Sequence, residues 1–146
     1  MRNKILTLTM LLFMVIGFSA CEKSKDIPVY NIPLYENLYL VGDASPAGWD
    51  IDNPTPMTVD PNDPFVFTWI GPLTVGEFKI ATATGNWGCD YFMPVVDGET
   101  DLSKTTLELV KGGNPDKKWK ITEAGNYKIA VNILDPGPYT IMFEKQ

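Results

Sequence analysis

From Leu38 onward, apolar and polar residues alternate in short runs separated by proline, glycine, asparagine and aspartate clusters. Period-two alternation places every second side chain on one face, so each run predicts a strand and each cluster a turn. Leu38 and Leu40 alternate with Tyr39 and Val41 before Gly42-Asp43. A long irregular loop from Ala44 to about Pro56 follows, with Pro46, Gly48, Pro54 and Pro56, and Met57-Thr58-Val59 reads as a short edge strand. Asp60-Pro61-Asn62-Asp63-Pro64 is a turn by its side chains. Phe65 to Ile70 puts Phe65, Phe67 and Trp69 on one face, assigned to the core. A turn at Gly71-Pro72 and a strand over Glu77 to Thr82, with Phe78 and Ile80 on one side, predict an antiparallel hairpin.

Farther on, Leu107 and Leu109 mark a strand, Lys111 to Asp116 breaks the chain, and Lys118 to Ile121 is a short element. The clearest strand runs from Tyr127 to Ile133, its apolar face being Tyr127, Ile129, Val131 and Ile133. Asp135-Pro136-Gly137-Pro138 turns into a last strand with Tyr139, Ile141 and Phe143 inward. About eight short strands and no amphipathic helix predict an all-β fold, an antiparallel β-sandwich.

One stretch departs from this rhythm. Gly85-Asn86-Trp87-Gly88-Cys89-Asp90-Tyr91-Phe92 holds three aromatic rings in a turn-rich segment. Apolar surface in water is costly, so such a loop either displays a contact site or plugs one end of the core.

The first twenty residues stand apart from the fold. Arg2 and Lys4 precede an apolar run from Ile5 to Phe18 that is short for a membrane span, and Ser19-Ala20 leads to Cys21. This predicts a secretory signal over residues 1–20. Phe18-Ser19-Ala20-Cys21 resembles the lipobox of bacterial lipoproteins, in which the cysteine is acylated and becomes the new N-terminus; Phe18 stands where leucine is usual. That resemblance implies lipidation at Cys21, which leaves Cys89 unpaired; without a lipid, a Cys21–Cys89 disulfide is the competing reading. Two or three acyl chains hold a protein on a membrane without spanning it. Residues 21–36, with a charged run and Pro28 and Pro33, read as an extended tether, and residues 37–146 as the sandwich domain.

Charge and composition narrow the function. Residues 1–20 contribute two basic residues and no acid, so cleavage leaves 10 basic against 18 acidic residues, a net charge of −8. Nucleic acid is excluded as a partner for such a surface, whereas a neutral ligand is open. The chain contains no histidine, which removes the usual general base, the serine triads and the commonest metal ligand together. No enzyme, cofactor or metal is expected. Asp50-Ile51-Asp52-Asn53 lacks the glycine and glutamate of a calcium-binding EF-hand loop and reads as a solvated loop.

Trp49, Trp87, Tyr91 and Trp119 all lie in or beside loops. Sugar rings offer C–H faces and a hydroxyl rim, so aromatic platforms flanked by hydrogen-bonding side chains suit them. Trp49 reads better as a cap over the sandwich end, and Trp119 is in phase with Ile121 for either a core or a platform position.

The ordered motifs Leu38-Tyr39-Leu40-Val41-Gly42-Asp43-Ala44, Gly48-Trp49, Phe67-Thr68-Trp69, Gly76-Glu77-Phe78-Lys79, Trp87, Lys118-Trp119-Lys120-Ile121 and Gly125-Asn126-Tyr127-Lys128-Ile129 resemble one starch-binding module of the SusE and SusF outer-membrane lipoproteins of Bacteroidetes. The resemblance implies an immunoglobulin-like sandwich, lipid-anchored at the outer membrane and facing the cell exterior. It implies non-catalytic binding of an α-glucan beside a TonB-dependent transporter and companion lipoproteins. Transferred by position, Trp87 and Trp119 become the two stacking rings, Tyr91 a third, and Lys117, Asn114 and Lys104 the polar contacts. A structural lipoprotein whose aromatic loop docks a protein partner is the alternative.

Overall fold

The computed structural model describes residues 32–146. The signal segment, Cys21 and most of the proposed tether lie outside the described residues. Ten strands form two antiparallel sheets: β1 Tyr39–Val41, β2 Thr55–Pro56, β3 Thr58–Asp60, β4 Asp63–Leu73, β5 Gly76–Ala81, β6 Tyr91–Pro94, β7 Leu107–Val110, β8 Trp119–Ile121, β9 Gly125–Asn132 and β10 Thr140–Lys145. One sheet is ordered β2-β1-β5-β6-β7, with β8 paired to β5; the other is β10-β9-β4-β3. This is the two-sheet sandwich that the alternation calls for. A single 3₁₀ turn, Lys111–Gly113, is the only helical element among the described residues.

The main core fills the space between the sheets. Leu38, Leu40, Phe78, Ile80, Phe92 and Leu107 face it from one side, and Phe67, Ile129, Val131 and Ile141 from the other. Trp69, Tyr139 and Phe143 pack on its margin. At the entry to β9, the Tyr127 hydroxyl donates to the Glu123 carbonyl (2.8 Å). A tyrosine tied back to the backbone just upstream of its strand is a corner also found in immunoglobulin-like sandwiches.

The predicted hairpin is not formed. β4 continues through Gly71 and Pro72, pairing with β9 as far as Leu73 opposite Gly125, and then crosses so that β5 lies in the other sheet. Proline is tolerated there because β3 pairs with β4 only up to Thr68. Beyond Thr68 one edge of β4 has no strand beside it, and the missing N–H of Pro72 costs the ladder nothing.

The strand alternation that buries one face of the first sheet also leaves its outer face partly apolar. Val41, Ala81, Tyr91, Met93 and Val110 lie there with Ile51 and Cys89 in a second, smaller cluster. Three segments cover this face: the Asp50–Asn53 turn, the Gly85–Asp90 loop and the chain around Gly113–Lys118. Tyr35, which the sequence assigns to the tether, is seated on the domain, its ring edge-on to Phe92 at 5.7 Å.

Candidate functional site

The exposed aromatic surface sits where these covering segments meet. Trp49 and Trp87 are 40% and 48% exposed, with ring centroids 6.4 Å apart and planes inclined by 42°. Each ring is held by a loop that is closed by its own hydrogen bonds. On the Trp49 side, the Gly42 N–H donates to the Gly48 carbonyl (2.8 Å), and the Asp50 carboxylate accepts the Asp52 and Asn53 N–H groups (3.0 and 3.1 Å). On the Trp87 side, Asn86 Oδ1 accepts the Gly88 N–H (2.8 Å), and the Asn86 carbonyl accepts the Cys89 N–H (3.2 Å). The two loops are tied to each other by the Gly85 N–H donating to the Ile51 carbonyl (2.8 Å). Gly85 makes that approach at φ +70°, a conformation that glycine adopts without strain.

Beneath Trp87 the outer face of the sheet provides a polar support. Lys79, on β5, is 5% exposed; its ammonium lies 4.0 Å from the Tyr91 ring centroid and 5.7 Å from that of Trp87. Asp116 pairs with it at 2.7 Å and with Lys118 at 2.9 Å. Burial by itself would raise the Asp116 pKa, but the two ammoniums outweigh it and hold the carboxyl below its ordinary value. The Tyr91 hydroxyl donates to the Trp87 carbonyl (3.1 Å), and burial pushes its pKa well above the usual phenol range.

A second network fixes the far side of the loop. Asp90 accepts from the Tyr35 hydroxyl (2.6 Å), from the Lys111 ammonium (2.9 Å) and from the Gly112 N–H (2.9 Å). The Lys111 hydrogen bond first, then that of Tyr35, draws the Asp90 pKa down to about 2. Gly113, at φ +71°, presses its backbone against the Tyr91 ring; a Cβ there would stand 2.9 Å from a ring carbon.

The sequence-derived site residues separate into different places. Trp87 is displayed, and Asn114 is exposed next to Gly113 at the edge of the same surface. Trp119 is not on that surface. It is 2% exposed and stacked on Phe78 at 5.3 Å, because β8 alternates Trp119 in, Lys120 out and Ile121 in. Its ring faces belong to the core, so it is not the second platform. Tyr91 offers no third platform either, since Lys79 and the Gly112–Gly113 turn cover it and it is fully buried. The Lys117 ammonium is engaged by Glu108 (2.6 Å) and the Val95 carbonyl (2.8 Å). Lys104 pairs with Glu99 (2.6 Å), and both lie beyond the end of β6 opposite to the Trp87 loop.

The ring that sequence reasoning missed is Trp49, read as a cap and found beside Trp87. The signal was present: a tryptophan between Gly48 and Asp50 in a proline-rich loop has no strand neighbours to bury it, the same reasoning that singled out Trp87.

A comparison with protein-family models matches residues 34–142 to the family described as SusF, first starch specific CBM, where CBM denotes a carbohydrate-binding module. The match spans most of the chain. This protein belongs to that family. The sandwich described above is therefore the fold of a SusF-type module, and it exposes two loop tryptophans. Comparisons with curated proteins and with solved structures return no match.

Proposed function

We propose that this SusF-type module captures a neutral α-glucan by stacking sugar rings on Trp49 and Trp87, without chemical turnover. The observation that carries the reading is the pair itself: two exposed indoles, 6.4 Å apart and inclined by 42°, on loops pinned to each other. Successive glucose units of an α-linked chain turn relative to one another, and two inclined platforms follow that curvature better than a flat ribbon would. Loops already fixed by hydrogen bonds lose little freedom on binding, which favours affinity. Asp116, paired with the Lys79 ammonium that lies 5.7 Å from the Trp87 ring, and the exposed Asn114 are the polar candidates for ring hydroxyls, and the exposed Asp50 and Asp52 beside Trp49 disfavour an anionic sugar.

In the full proposal the chain is a lipoprotein anchored through Cys21 to the outer membrane, facing outward, and it holds polysaccharide near a TonB-dependent transporter and companion lipoproteins. The lipobox-like sequence and the family membership support this setting. The test is migration in native gels cast with starch, glycogen, dextran, a β-glucan or a uronic-acid polymer. Retardation by the α-linked neutral polymers is expected. Unchanged mobility throughout the panel would overturn the reading.

A further inference from the structure

At the end of β6 away from Trp87, the surface opens into a hollow of about 280 Å³ beside Lys104, Thr105 and Thr106. Its walls and rim differ in character. Pro94, Val95, Val96 and the edge of Trp119 form an apolar wall, and both valines are substantially exposed. The Thr105 and Thr106 hydroxyls make no hydrogen bond to another described residue, and the Lys104 ammonium uses one donor on Glu99. Glu99 is held in turn, its other oxygen accepting the Asp101 N–H (2.9 Å).

Trp119, 2% exposed, closes the hollow from the core side. Threonine hydroxyls, an ammonium with spare donors and an aliphatic wall together match a small polyhydroxylated ring. The volume lies at the small end of ligand sites, enough for a chain end and not for a run of units.

We infer that this hollow is a second saccharide subsite, which takes the terminal unit of a neutral glycan end-on, separate from the stacking platform of Trp49 and Trp87. The inference rests on the proposed function for its ligand class and not for its location. Two sites at opposite ends of one strand would give a single module two points of attachment to a branched polysaccharide, raising its effective affinity without stronger contacts at either.

The test is maltose titration of the ¹⁵N-labelled protein, following the indole N–H signals of Trp119, Trp49 and Trp87 and the amides of Thr105 and Thr106. The expected result is a saturable shift at Trp119 and Thr106 that persists in the Trp49→Ala/Trp87→Ala variant. Thr105→Val/Thr106→Val, which removes hydroxyls from exposed positions at nearly constant shape, should weaken that shift at least threefold while the Trp87 shift is kept. Movement at Trp87 with Trp119 silent would overturn the second subsite and leave the platform standing. A Trp119 shift that vanishes when Trp49 and Trp87 are removed would overturn it too, as a change transmitted from the platform. Silence of all three indoles with maltose would overturn both sites.

Discussion

Replacing Trp119 with alanine removes a buried ring stacked on Phe78 and set against Phe143. Deleting a buried aromatic of this kind costs about 3–5 kcal/mol, so thermal denaturation should show a large fall in Tm. Trp87→Ala takes away a half-exposed ring, and its melting curve should stay within about 0.5 kcal/mol of the parent, as surface substitutions usually do. Glucan affinity should respond in the reverse order, falling about tenfold or more for Trp87→Ala, which corresponds to about 1.4 kcal/mol. The core position of Trp119 was legible in its phase with Ile121; assigning it to the platform came from transferring a role by order along the chain. Trp49 was less legible, because nothing local states that Gly85 will reach Ile51 and bring the two loops together.

At the scale of elements, the Gly85–Asp90 loop is clasped to the turn of Lys111–Gly113 and to Tyr35 through one carboxylate, Asp90. The Asp90 pKa, drawn from its ordinary 3.8 to about 2, gives the sign of a pH effect. A carboxylate that binds its proton less readily when folded stabilises the fold above its unfolded pKa, and this contribution is lost as pH falls from about 4 through about 2. Melts recorded over that window should show a declining Tm, and Asp90→Asn should flatten part of the decline while lowering stability at neutral pH. An equal slope in both proteins would remove Asp90 from the account. Individual strands were legible from their period, most clearly β9, where Tyr127, Ile129 and Val131, and Ile133 just past its end, are all buried. The crossing of β4 and β5 between sheets was not, since pairing of β4 with β9 joins residues more than fifty positions apart, such as Trp69 and Ile129, and no adjacent residue encodes it.

For the molecule as a whole, the net negative charge and the absence of histidine exclude more than they select. They are consistent with a neutral ligand held by stacking and hydrogen bonds, and they give a further expectation. Counterion release makes nucleic-acid binding fall steeply with salt, whereas retention by a neutral glucan should hardly change between low and high sodium chloride. Affinity gels run at both conditions check this, and a steep loss would point to a charged partner.

In the proposed function Trp49 and Trp87 act as one platform. Isothermal titration of a linear α-1,4-glucan oligosaccharide into the parent and Trp49→Ala proteins, both verified as folded by their melting curves, tests this directly. The parent should bind, and Trp49→Ala should lose about tenfold or more in affinity, matching Trp87→Ala. A Trp49→Ala protein that binds as tightly as the parent, with Trp87→Ala impaired, would contradict it.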